Sequence, residues 1–184
     1  MNSIYQKTDE FVKKIKSDFR LNLRDMNVAC QIYTDALGRS IRTEDAVDRA
    51  LNLKRAGRYE DAILIYMGIT EQTLKAGGIL SPVILRSLCK SLMCINDYLS
   101  AHAILYPMFL ILAENKDMLD REGMYVLNNL YNDLKTIYID CMKDVLSGNL
   151  TELEKRTAAY SGNPNYCFSL PEDLIIKQFE QINR

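Results

Sequence analysis

Acid–base and metal chemistry near neutral pH draws first on histidine, and His102 is the only one in 184 residues. A single imidazole cannot build a two-histidine zinc site, an H-E-x-x-H protease helix or a di-iron bundle with two Glu-x-x-His motifs. It can enter a nucleophilic pair if Cys89 or Cys94 faces it. Both thiols lie on an apolar helical stretch where small hydrophobes pack, and His102 is expected at the surface or half-buried. Cys30, Cys89, Cys94, Cys141 and Cys167 are odd in number, scattered and without a C-x-x-C pair, so neither a disulfide framework nor a zinc site is indicated. Phosphate-cradling loops are also missing, since Gly77-Gly78 runs into Ile79-Leu80 and no G-x-x-x-x-G-K or G-x-G-x-x-G occurs. Carboxylate pairs such as Asp117/Asp120 and Glu152/Glu154 fall at expected helix starts, where they complement the helix dipole. These residues indicate no catalytic group, no metal and no cofactor.

Eleven tyrosines against five phenylalanines is the anomaly of composition. Tyr125, Tyr131 and Tyr138 share one long helical stretch with Met124 and Met142, and Tyr131 and Tyr138 are a heptad apart. Core packing accounts for them; a partner surface, where apolar bodies must coexist with water, is the alternative.

Charge narrows the field further. The chain carries 23 Lys and Arg against 24 Asp and Glu, a net −1 that removes the electrostatic basis for general nucleic-acid binding. Residues 1–58 hold 12 basic against 8 acidic side chains (+4), and residues 59–184 hold 11 against 16 (−5). The basic surplus at Lys13, Lys14, Lys16, Arg20 and Arg24, interrupted by Asp18 and Asp25, reads as a solvated helix face rather than a phosphate track. The first residues lack an apolar h-region, and the longest apolar stretch, residues 104–113, is broken by Pro107 and too short for a membrane span. A cytoplasmic protein with no membrane contact is the expectation.

The elements that must position these residues are helical almost throughout. Ile4, Phe11, Val12, Ile15 and Phe19 form one stripe, and a second helix is expected from about Leu23 to Leu37, ending at Gly38. A third follows Thr43 as N-cap and ends at Gly57; a fourth runs from Tyr59 to Gly77-Gly78. Ser81-Pro82 opens a fifth, Asn96-Asp97 a sixth to about Glu114, with a kink or break expected at Pro107. A long helix then carries Leu127, Leu130, Leu134, Ile137 and Cys141 toward Ser147, and presents either a core face or a dimer seam. Thr151 with Glu154 resembles a capping box for a short helix, residues 161–170 read as a loop, and Ser169 with Glu172 opens a last helix carrying Leu174, Ile175, Phe179 and Ile182. No period-two stretch stands out.

One internal repeat is visible. Gly57-Arg58-Tyr59-Glu60-Asp61-Ala62 aligns with Asn96-Asp97-Tyr98-Leu99-Ser100-Ala101, and upstream Ala50 and Leu53 align with Cys89 and Leu92. A glycine suited to the left-handed region, a tyrosine after the turn and an alanine permitting close helix approach resemble the tetratricopeptide-repeat family over residues 43–115. The departures are Ala46 and Leu85 in place of the helix A aromatic, Ile69 and Met108 in place of the late small residue, Leu74 and Ala113 in place of the closing proline, and a spacing of 39 residues between the two alanines. The resemblance implies an all-α fold of antiparallel helix pairs stacked as a right-handed α-α superhelix with flanking helices. The chain would be one domain: a helical pair over 1–42, two repeat-like pairs over 43–115, a long and a short helix over 116–160, a loop over 161–170 and a helix over 171–184.

The same resemblance implies a ligand surface on the concave face, carried here by Val47, Leu51, Lys54, Arg55, Arg86, Lys90 and Met93. Four cations on one groove suit an acidic peptide or a free C-terminal carboxylate. The function expected is therefore a non-enzymatic adaptor, scaffold or regulatory subunit that binds a protein or peptide. Two alternatives stay open: a small helical enzyme with a carboxylate- and tyrosine-lined pocket, and a nucleic-acid-associated regulator using the basic N-terminal face.

Overall fold

The computed structural model describes residues 3–16, 19–24, 26 and 31–146, with side chains described as far as residue 137. The expected short helix after Thr151, the loop over 161–170 and the last helix lie outside those residues, as do the side chains of Tyr138, Cys141 and Met142. The chain is mostly helical: α1 (Ile4–Ile15), β1 (Ile32–Thr34), β2 (Ser40–Arg42), α2 (Thr43–Arg55), α3 (Tyr59–Lys75), α4 (Pro82–Cys94), α5 (Tyr98–Glu114), a 3-10 turn (Lys116–Met118) and α6 (Arg121–Leu146). From α2 onward each helix packs on the next, and α4 also meets α6. Short connections, three residues after α2 and α4 and six after α3 and α5, favour this order, because a helix ended by a short turn folds back along its predecessor.

The turns that end α2 and α4 have the same construction. Gly57 (φ 74°) and Asn96 (φ 60°) both occupy the left-handed region. After α2, the Arg58 N–H donates to Leu53 O at 2.9 Å and the Gly57 N–H to Lys54 O at 3.0 Å; after α4, Asp97 donates to Leu92 O at 2.9 Å and Asn96 to Met93 O at 3.1 Å. Each is a helix-ending motif that satisfies two orphan carbonyls. The correspondence continues inward, where Ala50 and Cys89, Ala62 and Ala101, and Ala46 and Leu85 are all buried.

Caps and breaks differ from expectation in two places. Thr43 is the first residue of α2 rather than its cap; its hydroxyl donates to Gln31 O at 2.7 Å, beside its own N–H at 2.8 Å. Pro107 does not break α5, which runs unbroken from Tyr98 to Glu114 through a largely buried, apolar setting. The proline removes one backbone donor, and packing on both neighbouring helices holds the helix regardless. Ser81 caps α4, accepting from the Ile84 N–H at 3.4 Å, and Asp120 stands before α6, accepting from the Gly123 N–H at 2.8 Å.

The helix expected over Leu23 to Leu37, and with it a helical pair over 1–42, is corrected by an antiparallel hairpin. Ile32 pairs with Arg42, Tyr33 with Ile41 and Thr34 with Ser40. Tyr33 and Ile41 are half-buried between exposed neighbours, a period-two pattern too short to stand out in sequence. Asp35 builds the turn: its Oδ1 accepts from the Leu37 and Arg39 N–H groups at 2.9 and 3.0 Å, while Gly38 takes φ 75°. The Tyr33 ring lies on α3 at Gly68, where a β-carbon would come within 2.5 Å of its hydroxyl oxygen. Glycine inside α3 is thus the seat of the hairpin.

Residues 19–24 run past Leu80, with Leu80 N–H donating to Arg20 O at 2.9 Å and Asn22 N–H to Leu80 O at 3.0 Å. Arg20 and Arg24 therefore lie off α1, and the basic run is not one helix face. Lys14, on α1, pairs with Glu71 at 3.2 Å. The opening helix is tied to the α4–α5 turn, since Tyr5 Oη donates to Ile95 O at 2.9 Å and the Thr8 hydroxyl to the buried Asp97 at 2.8 Å. One hydrophobic cluster runs through all six helices, from Phe11 to Ile137.

Candidate functional site

The face shared by α2, α4 and α6 carries the residues that helical register brought together. Arg86 and Lys90 are one turn apart on α4, so their side chains project to the same side. Both reach Asp133 on α6: Arg86 Nε donates to Oδ2 at 2.7 Å and Nη2 to Oδ1 at 3.4 Å, and Lys90 Nζ donates to Oδ1 at 3.2 Å. Asp133 is 4% exposed, whereas the Arg86 and Lys90 side chains keep 28% and 39% of their surface in water. The carboxylate is therefore the buried end of the pair, and two partly solvated cations stand over it.

Lys54, in the last turn of α2, is the third cation that this cluster acts on. It is half-buried, and neither a hydrogen bond nor an ion pair engages it among the described residues. Burial is the main cause that lowers its pKa; Lys90 and Arg86 lower it further, while Cys94 and Asp133 oppose them. Its ammonium thus lies within the electrostatic reach of the charges on α4 and α6. Three cations against one carboxylate leave a surplus of two positive charges there.

The remaining expected residues divide. Leu51 is half-buried and stands outside the hydrophobic cluster, Val47 packs against its edge, and Met93 is buried within it and contributes core rather than surface. Arg55 is exposed at the end of α2. The structure thus brings Arg86 and Lys90 together on Asp133, leaves Lys54 within reach of their charge, and leaves Arg55 exposed at the end of α2. Asp133 is the residue that sequence reasoning missed. Its signal was an acid among Leu130, Leu134 and Ile137, inside a stripe that otherwise holds apolar residues.

His102 is buried, 7% exposed, which corrects the surface or half-buried placement. It falls 39 residues after Ile63, the position at which the preceding pair puts a fully buried isoleucine, so helix register forces it inward. Its ring stacks on Tyr106 with centroids 5.4 Å apart, and burial lowers its pKa to about 4. Burial also pushes the Cys89 thiol well up, which disfavours the thiolate that a nucleophilic pair requires. Among the described residues no group of three or more His, Cys, Asp or Glu is placed to hold a metal ion, and no helix is long and apolar enough to cross a membrane.

Elsewhere, a concavity of about 670 Å³ opens between the hairpin, α2 and α3, lined in part by Tyr33, Asp35, Arg49, Arg58, Asp61 and Glu71. Its carboxylates are engaged by cations within it or beside it. Asp35 takes Arg39 at 2.7 Å and Arg49 at 3.7 Å, Arg58 takes Asp61 at 2.7 Å, and Glu71 takes Lys14 at 3.2 Å. Hydrogen bonding from Arg39 holds the Asp35 carboxyl below its usual range, and burial, then Asp35, raises the Tyr33 phenol. A proton acceptor needs the opposite tuning, a carboxyl raised or a phenol lowered. No protein family, curated protein or solved structure matches the chain.

Proposed function

We propose that the chain is a tetratricopeptide-like interaction module, an adaptor or regulatory subunit with no chemistry of its own, whose α2/α4/α6 face receives an acidic peptide segment. The observation that carries this is the surplus of positive charge around Lys54, Arg86 and Lys90, with Lys54 half-buried and unengaged by described residues. A partly desolvated ammonium gains more from an incoming carboxylate than a fully hydrated one, because screening there is weaker. Leu51 beside it offers apolar contact to the residue that follows the acid. The repeat-like arrangement is supported by the matching turns at Gly57 and Asn96 and the buried Ala62 and Ala101.

The cytoplasm is the compartment that suits five scattered cysteines. An enzyme using the Tyr33, Asp35 and Glu71 cleft is the competing reading, favoured by the size of that concavity. Affinity capture with the wild-type chain, Lys54→Glu and Lys75→Glu, the last an exposed cation on α3, tests the proposal. Partners retained by wild type and Lys75→Glu and lost by Lys54→Glu support it. An identical set from all three overturns it. Reversing Arg86 or Lys90 is a poorer test, because it places a second carboxylate against the buried Asp133.

A further inference from the structure

The concavity between the hairpin, α2 and α3 has the volume of a small-molecule site, about 670 Å³, and an apolar floor. Leu53 comes from α2, Leu64 and Ile65 from α3, and Tyr33, Leu37 and Ile41 from the hairpin. Two of these side chains are left largely in water, Leu37 at the hairpin turn being 75% exposed and Leu64 38%. A ligand with an apolar body would cover them. Arg49 and Leu53 are one turn apart on α2, so a guanidinium and an apolar side chain project to the same side of that helix, and both line the concavity.

Charge decides what the ligand carries. Each carboxylate of the lining has a cation at contact distance: Arg39 donates to Asp35 at 2.7 and 3.1 Å, Arg58 to Asp61 at 2.7 Å, and Lys14 pairs with Glu71 at 3.2 Å. The side chains of Lys7 and Arg49, which also line it, make no hydrogen bond to a described residue. Arg49 stands 3.7 Å from Asp35, too far for a hydrogen bond, and keeps 54% of its side chain in water. Asp45 and Asp48 line a neighbouring concavity instead, and form no ion pair with Arg49. With Arg39 and Lys14 counted, five cations stand against three carboxylates, and Lys7 and Arg49 carry the surplus. We infer that this concavity binds a small organic monoacid, with its single carboxylate on the Arg49 fork and its apolar body over Leu53, Leu64, Ile65 and Tyr33. One guanidinium offers a carboxylate two parallel N–H bonds. A phosphate monoester is disfavoured, because its second charge would face Asp35, Asp61 and Glu71. Lys54, Arg86, Lys90 and Asp133 do not line the concavity, so this site stands or falls apart from the α2/α4/α6 face.

Isothermal titration of the full-length chain with decanoate, below its micellar range, tests this beside 1-decanol and decylammonium, which share the body and lack the carboxylate. Decanoate should fill one saturable site and bind at least about 10-fold more tightly than either. Arg49→Gln should weaken it by about 10-fold or more, and Arg49→Lys, which keeps the charge without the fork, by less. Leu64→Glu, at an exposed position on α3, should weaken it as well, and Lys54→Glu should leave it unchanged. Circular dichroism checks the fold of each variant; should Arg49→Gln not fold, Leu64→Glu and the comparison of head groups decide. Equal affinity for the three head groups, an affinity untouched by Arg49→Gln or by Leu64→Glu, or no saturable binding overturns the inference. Binding lost by Lys54→Glu also overturns it, and moves the acid to the α2/α4/α6 face.

Discussion

Lowering the pH should unfold this chain through a single side chain more than any other described residue whose titration is displaced. His102 has a pKa of about 4 in the fold because burial disfavours the imidazolium, against about 6.5 for an exposed imidazole. The folded value lies below the unfolded one, so the unfolded chain binds the extra proton, and stability is complete above about pH 6.5 and lost progressively as the pH falls toward 4. At pH 4.5 the difference between the two states amounts to roughly 2–3 kcal/mol relative to neutral pH. Carboxylates titrate over the same range, so the quantity to measure is a double difference. Urea unfolding of wild type and His102→Leu at pH 7.5, 6.5, 5.5 and 4.5 supplies it, the leucine being chosen because the equivalent position of the preceding pair holds Ile63. Wild type should lose about 2–3 kcal/mol more than the variant between pH 7.5 and 4.5, most of it below pH 6. Parallel pH profiles for the two proteins would refute the buried, neutral imidazole and the helix register that places it there.

Three further outcomes follow from local geometry. Gly68→Ala should destabilise the wild type by about 1–2 kcal/mol, because the added carbon meets the Tyr33 ring. In a Tyr33→Leu background the same change should stabilise by up to about 1 kcal/mol through helix propensity, a reversal of sign readable by chemical denaturation. Gly57→Ala should cost about 1–2 kcal/mol at its φ of 74°, whereas Asn96→Gly should be neutral or slightly stabilising, as thermal melts would show. Asp133→Ala should lower stability by about 1–3 kcal/mol, since it leaves Arg86 and Lys90 facing each other without their shared carboxylate, and should also tighten binding of an acidic peptide.

The helices were legible wherever an apolar stripe was long and its ends were punctuated. Ser81-Pro82, Gly57 and the pair Asn96-Asp97 announce their turns in sequence, and the structure places helix boundaries there. The hairpin was not legible, because three-residue strands offer too few positions for an alternation to show, and because what fixes them is remote: a glycine on α3 that accepts the Tyr33 ring and a backbone carbonyl at Gln31 that engages Thr43. Register located the cations of the candidate face, since Arg86 and Lys90 are one turn apart. It could not reveal Asp133, whose meeting with them depends on α6 crossing α4 at one particular height. His102 was misplaced for a related reason: an imidazole looks polar in isolation, yet the position it fills belongs to the core.

The most direct test of the account is peptide selection on the α2/α4/α6 face. A degenerate peptide pool with Asp or Glu fixed at two adjacent positions ahead of three apolar positions should be retained by the immobilised full-length chain. A matched pool with Lys at the acidic positions should pass through, and Lys54→Glu should weaken retention of the acidic pool by about 10-fold or more. Equal retention of acidic and basic pools, or retention untouched by Lys54→Glu, would contradict the assignment of this face.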